Sequence, residues 1–337
     1  MPDQTETTSR DETYPYDRAA LRAELAKVAE EPGIGKPDAI LEVNTIVRRF
    51  GGMTAVAVDH LEVQRGAITA LIGPNGAGKT TFFNLITGFD RPTSAKRRFG
   101  RPAGASGVSG PDGNGQRVAE WRFNGREMAA TTSFRVARAG MVRTFQLTKA
   151  LAAMTVLDNM LLGAAGQAGE RLGASLVRPL WRSQEAANIE KADELLTRFK
   201  LHDKRHDYAG SLSGGQRKLL EMARALMSDP AMIMLDEPMA GVNPALTQSL
   251  LGHIQDLRDH GTTVLFVEHD MHMVRHISDW VVVMAEGRIV AEGRPQSVMS
   301  NQAVIDAYLG SHHDKDLGDD ALLEEPETVT LSKGESA

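Results

Sequence analysis

The 337-residue chain contains no cysteine, which excludes disulfide frameworks, thiolate metal sites and cysteine nucleophiles together. It also lacks any run approaching the roughly 18 apolar residues of a membrane-spanning helix. Its start, MPDQTETTSRDETYPYDR, is polar and has no apolar core of the kind that directs export, so the sequence reads as a soluble protein not secreted by that route. Strong charge of one sign is missing too. The formal net charge is −6, from 38 basic and 44 acidic residues. Both ends are acidic, so residues 41 to 313 are left mildly basic. That balance suits a polyphosphate ligand or a surface near acidic lipid and gives no argument for nucleic acid. With 42% hydrophobic residues, the chain is long enough to bury a full core in one large domain or two smaller ones.

Both ends read as appendages. Leu21, Leu25 and Val28 fall at helical spacing before the break EPGIGKP, so residues 1–38 are expected to form a polar extension with a short amphipathic helix on a linker. Residues 311–337 are acidic, poor in aromatics and expected to be disordered. A Gly-rich stretch, at about 94–119, carries Lys96, Arg97, Arg98 and Arg101 at its start. It reads as a flexible insertion, with a docking arm for lipid head groups as the alternative. Between the ends, short apolar runs at Ile40–Val47, Ala67–Ile72, Met232–Leu235, Thr263–Val267 and Val281–Met284 have the length and flanking turn residues of strands buried on both faces. Helical stretches intervene at Thr80–Thr87, Ser183–Lys200, Gly214–Met227 and Pro244–Arg258. This alternation predicts an α/β fold with a largely parallel sheet. The block at about 150–229 has no comparable strand run and is expected to be an inserted helical subdomain.

The chemistry concentrates in a few segments. After the strand ending at Ile72 come Gly73, Pro74, Asn75, Gly76, Ala77, Gly78, Lys79, Thr80 and Thr81, matching GxxxxGK[ST] in the strand-to-helix setting that pattern requires. Glycines let backbone amides curl around phosphate oxygens, a helix N-terminus faces the negative charge, Lys79 can reach the β- and γ-phosphates, and Thr80 can ligate Mg2+. The apolar run Ala231–Leu235 ends in Asp236 and Glu237. The first can hold Mg2+ and the second can orient and deprotonate an attacking water; two acids at a solvated strand end are the plainer alternative. Ser213, Gly214, Gly215 and Gln216 form a second phosphate-binding turn or, read locally, a serine N-cap.

The stretch Leu212-Ser213-Gly214-Gly215-Gln216 resembles the signature of ABC-family ATPases. The order of phosphate loop, signature and Asp-Glu strand is specific to that family. The resemblance implies a P-loop NTPase, an ABC nucleotide-binding domain at about 39–310 with an inserted helical subdomain, that binds and hydrolyses ATP with Mg2+. It also implies roles for further residues. Phe50 is similar to the aromatic that stacks on adenine, Gln146 to the glutamine that senses Mg2+ and the attacking water, and His269 to the switch histidine at the γ-phosphate. The segment Ala240–Pro244 resembles the loop that crosses the dimer, with Asn243 where most relatives have Asp. Thr80, Gln146 and Asp236 would be the Mg2+ ligands, and Glu237, His269 and Gln146 the catalytic group.

The flanks Phe50–Ala55, Asn84–Phe89, VARAGMVRTFQ, LDEPMAGVNP, VEHDM and the closing AYLG resemble the LivG-type ATPase subunits of branched-chain amino acid importers. The resemblance implies a peripheral protein at the cytoplasmic face of the membrane, whose ATP-driven dimer closure powers transport. Its partners would be transmembrane permease subunits, a second ABC ATPase subunit of the same or related kind and, indirectly, a substrate-binding protein. A urea or short-amide importer subunit is the alternative, and a soluble ABC ATPase outside transport is the alternative from another class. The chain has one set of motifs and no sustained heptads, unlike tandem translation factors or coiled-coil repair proteins.

Overall fold

The computed structural model describes residues 18–93, 119–128, 131–144, 151–167, 179–242 and 244–310. Residues 94–118 of the insertion expected at about 94–119, the acidic tail, Gln146 and Asn243 lie outside them. In chain order the elements are α1 (Arg18–Leu25), β1 (Ala39–Phe50), β2 (Met53–Gln64), β3 (Ile68–Ile72), α2 (Lys79–Ile86), β4 (Glu120–Phe123), β5 (Arg126–Glu127), α3 (Ser133–Arg138) and β6 (Met141–Arg143). There follow α4 (Val156–Leu161), α5 (Pro179–Arg198), α6 (Gly214–Leu226), β7 (Met232–Asp236), α7 (Pro244–Asp259), β8 (Thr263–Val267), α8 (Met271–Ile277), β9 (Trp280–Ala285), β10 (Arg288–Gly293), α9 (Pro295–Met299) and α10 (Gln302–Gly310).

Two sheets organise the molecule. The central one runs β10-β9-β3-β8-β7-β6, parallel except for the antiparallel β10, and a four-stranded antiparallel sheet runs β2-β1-β4-β5. Successive strand side chains point to opposite faces, so each central strand divides its residues between two cores. Ile68, Ala70 and Ile72 of β3, Ile233 and Leu235 of β7, and Val264 and Phe266 of β8 join the helices of the 151–229 block and α7 in one core. Leu71, Met232, Met234, Leu265 and Val267 join the antiparallel sheet and Phe82, Phe83 and Ile86 of α2 in the other. A sheet covered on both faces explains why its strands read as unbroken apolar runs.

Two expectations differ from what is observed. Ile40–Val47 belongs to the antiparallel sheet, and β1 is not buried on both faces, since Glu42, Asn44, Val47 and Arg48 retain solvent contact. The N-terminal helix is docked rather than appended. Leu21 and Leu25 sit in the second core, and Arg22 Nε donates to Asp279 Oδ1 at 2.9 Å. The segment after it is also fastened: Ile34 N donates to Glu292 Oε1 at 2.8 Å, and Lys36 Nζ to Glu292 Oε2 at 3.1 Å. A linker does not bury a lysine against a glutamate, and Lys36 retains only 8% of its exposure.

Candidate active site

The phosphate loop leaves the carboxyl end of β3 and enters α2 at Lys79. Asn75 and Gly76 are exposed, Ala77 is buried, Thr80 is exposed in the first helical turn, and Thr81 is half-buried. Gly78 shows why the pattern demands glycine. Its φ is +98°, and a Cβ there would lie 2.4 Å from the Ala55 carbonyl oxygen. Lys79 folds back over the loop, where Nζ donates to the carbonyls of Gly73 at 2.6 Å and Pro74 at 2.9 Å. Burial pushes its ammonium below the ordinary lysine value, while Glu237 and Asp236 pull it back up. Both acids therefore act on the loop lysine, although about 160 residues separate them in sequence.

Asp236 ends β7, next to the edge strand β6, and is paired with Arg143 of that strand. Arg143 Nη2 donates to Asp236 Oδ2 at 2.5 Å and Nη1 to Asn84 Oδ1 of α2 at 2.6 Å, and each side chain of the Arg143–Asp236 pair is only 7% exposed. One guanidinium thus ties the phosphate-loop helix to the carboxylate strand. The Asp236 carboxylate and the Thr80 hydroxyl are donors of the hard oxygen type that suits Mg2+. Glu237 follows at φ +47°, a backbone conformation uncommon outside glycine, with its amide donating to the Val267 carbonyl at 3.0 Å.

Ser213 caps α6. Its hydroxyl accepts from the Gln216 amide at 3.3 Å, and Gln216 Oε1 accepts from the Ser213 amide at 3.0 Å, so the local capping reading is present in the structure. Ser213 and Gly214 are exposed at that helix N-terminus. Gly215 is buried because α7 packs directly on it; a Cβ would fall 1.6 Å from Leu246 Cδ2. His269 is exposed at the end of β8, ahead of α8. Phe50 ends β1 and is 47% exposed, with the Arg48 guanidinium 4.5 Å from its ring centroid, so it is not a core residue. Around the phosphate loop the structure gathers Lys79, Asp236 and Glu237. It leaves Ser213–Gln216 on a separate exposed helix end.

Three residues with direct roles in this architecture were given no role by sequence reasoning. Arg143 sits inside a stretch quoted for its likeness to relatives, but a lone arginine after a strand looks like surface. Glu268 is buried, and accepts the Met239 amide at 3.1 Å and the His269 amide at 3.2 Å. Burial raises its pKa, partly offset by those amides. Lys218 of α6 donates to carbonyls of the turn after Glu237. Only its spacing from Ser213 could have signalled it.

Comparison with known proteins places the chain in a family. Residues 57–240 match the family model described as ABC transporter, and residues 288–314 match the one described as branched-chain amino acid ATP-binding cassette transporter. The chain is 38% identical over 273 residues to the high-affinity branched-chain amino acid transport ATP-binding protein BraF of Pseudomonas aeruginosa, covering 80% of this chain and 98% of that one. It is 37% identical over 272 residues to the probable branched-chain amino acid transport ATP-binding protein LivG of Archaeoglobus fulgidus, covering 81% and 96%. Among solved structures it resembles a nucleotide-free ATP-binding cassette from an ABC transporter, at TM-score 0.64 and 34% identity over 80% of this chain and 98% of that one. An ATP-binding cassette of an ABC transporter in its ADP conformation gives TM-score 0.64 and 33% identity over 81% and 99%. The family model over residues 57–240 and relatives 37–38% identical along about 80% of this chain settle the family, and the chain belongs to the ABC transporter family of ATP-binding cassettes.

Proposed function

We propose that the chain is the ATP-binding and hydrolysing subunit of an importer for branched-chain amino acids. The observation that carries the chemistry is the enclosure of Lys79, within the phosphate loop, in the field of Asp236 and Glu237. The relatives' names supply the substrate class. On this reading Lys79 and the loop amides hold the β- and γ-phosphates, Phe50 stacks on the adenine, and Thr80, Gln146 and Asp236 hold Mg2+. The ion would neutralise phosphate charge. Glu237 orients a water in line with the γ-phosphate and accepts its proton, while His269 contacts the γ-phosphate. Ser213–Gln216 would meet the ATP held by a second cassette, so hydrolysis would require two cassettes to close on each other. Permease subunits would receive that motion at the cytoplasmic face of the membrane, with a substrate-binding protein on the other side. Among the described residues no helix is long and apolar enough to cross a membrane, which supports a peripheral placement.

The test uses the complex assembled with its permease. Glu237→Gln keeps the side-chain shape and removes the base, so ATP should still bind while turnover falls by about 10²- to 10⁴-fold. Parental turnover in that variant would reduce Glu237 to a strand-end residue. Uptake of labelled leucine against labelled urea decides the substrate, and urea uptake alone would transfer the chain to the short-amide branch.

A further inference from the structure

The turn that leaves Glu237 is held from two sides. Lys218, in the second turn of α6, directs its ammonium at three main-chain carbonyls of that turn: Pro238 at 3.0 Å, Glu237 at 3.5 Å, and Ala240 in a shorter contact. An ammonium has three donors, and three carbonyls of one turn face this one. On the other side, Glu268 accepts the Met239 amide with one oxygen and the His269 amide with the other. The turn needs such support, because Glu237 sits at φ +47°, a backbone state that persists only when the surroundings over-determine it. Lys218 is also four residues beyond Gly214, on the helix that Ser213 caps. A helix moves as a stiff unit, so a displacement of its exposed N-terminus reaches the Glu237 turn through this side chain.

We propose that Lys218 is a positioning residue for hydrolysis, fixing the Glu237 turn to the helix opened by Ser213, so that Glu237 is correctly aimed only when that helix is seated. The proposal rests on Glu237 as the base. Lys218 takes no proton and touches no substrate. Its effect is on the aim of the carboxylate, where a misplacement of about 1 Å costs on the order of a hundredfold in rate.

The experiment compares Lys218→Met, Lys218→Gln and Lys218→Arg with the parent in the assembled transporter, measuring nucleotide affinity with a fluorescent ATP analogue, KM and kcat. Lys218→Met should keep the dissociation constant within about twofold while kcat falls roughly 10- to 100-fold. Lys218→Gln, which keeps one donor group and tolerates the site if methionine does not fold, should fall between. Lys218→Arg should recover most of the rate. A purely structural lysine would lower stability and leave kcat per folded molecule unchanged, so parental kcat in Lys218→Met overturns the proposal. Loss of nucleotide binding overturns it too, by placing Lys218 in the binding pocket. Glu237→Gln in the same preparation separates the two readings. If that variant is dead and Lys218→Met is parental, positioning alone fails; if it is fully active, the base assignment fails and takes the proposal with it.

Discussion

Arg143 illustrates how much one side chain can connect. Its guanidinium joins Asn84 of α2 to Asp236 of β7 from a nearly dry position, and a planar fork suits two acceptors in a way an ammonium does not. Removing it leaves a buried carboxylate without its cation. Arg143→Met should therefore cost about 3–5 kcal/mol in urea unfolding, while the double change Arg143→Met with Asp236→Leu should recover part of that loss. Gly215 makes a steric counterpart. Gly215→Ala forces the Leu246 side chain aside, and about 1–3 kcal/mol of destabilisation is expected in the same assay. Tyr308 offers a pH readout. Burial pushes its hydroxyl up to about 12 from the ordinary 10, partly offset by the nearby Gly73 backbone. The folded state then keeps a proton that the unfolded chain releases, so this contribution is complete below pH 10 and lost as pH rises from about 10 to about 12. Urea melts across that range should show the decline, and Tyr308→Phe should flatten it.

At the scale of elements, what could be read in the sequence and what could not divide along physical lines. Strands β7, β8 and β9 are buried on both faces, so their apolar runs stand out, and the phosphate loop announces itself because its glycines answer to local geometry. Strand β2 escaped notice because Asp59, His60 and Glu62 interrupt its apolar residues, as a strand with one solvated face requires. The docking of α1 was not legible either. Its spacing predicts an amphipathic helix, but the partners that hold it, Asp279 and Glu292 for the segment, come from the far end of the chain, and no local pattern specifies them. The consequence is measurable. Leu25 is 1% exposed, so Leu25→Ala should destabilise the protein by about 2–5 kcal/mol, whereas a helix on a free linker would tolerate it without a change in the urea midpoint.

For the whole molecule, the Gly-rich insertion poses the question of economy. The described residues on its two sides both rest on β1: the Thr93 amide donates to Val47 at 2.8 Å, and Glu120 pairs with Asn44. Since both ends are fastened to the same strand, replacing residues 100–116 by a short linker should leave ATP hydrolysis intact. A loss of nucleotide binding in that variant would show that the insertion contributes to the site.

The strap formed by α1 and the residues after it also sets an order in time. Arg22 and Asp279 are 257 positions apart, and Ile34 and Glu292 are 258 apart. A ribosome adding roughly 5–20 residues per second therefore releases the strap about 10–50 seconds before the strands that receive it. During that interval Arg22 and the Ile34 amide lack Asp279 and Glu292, so the strap has nothing to fasten it. The strap is thus fastened only after about 250 further residues have been made.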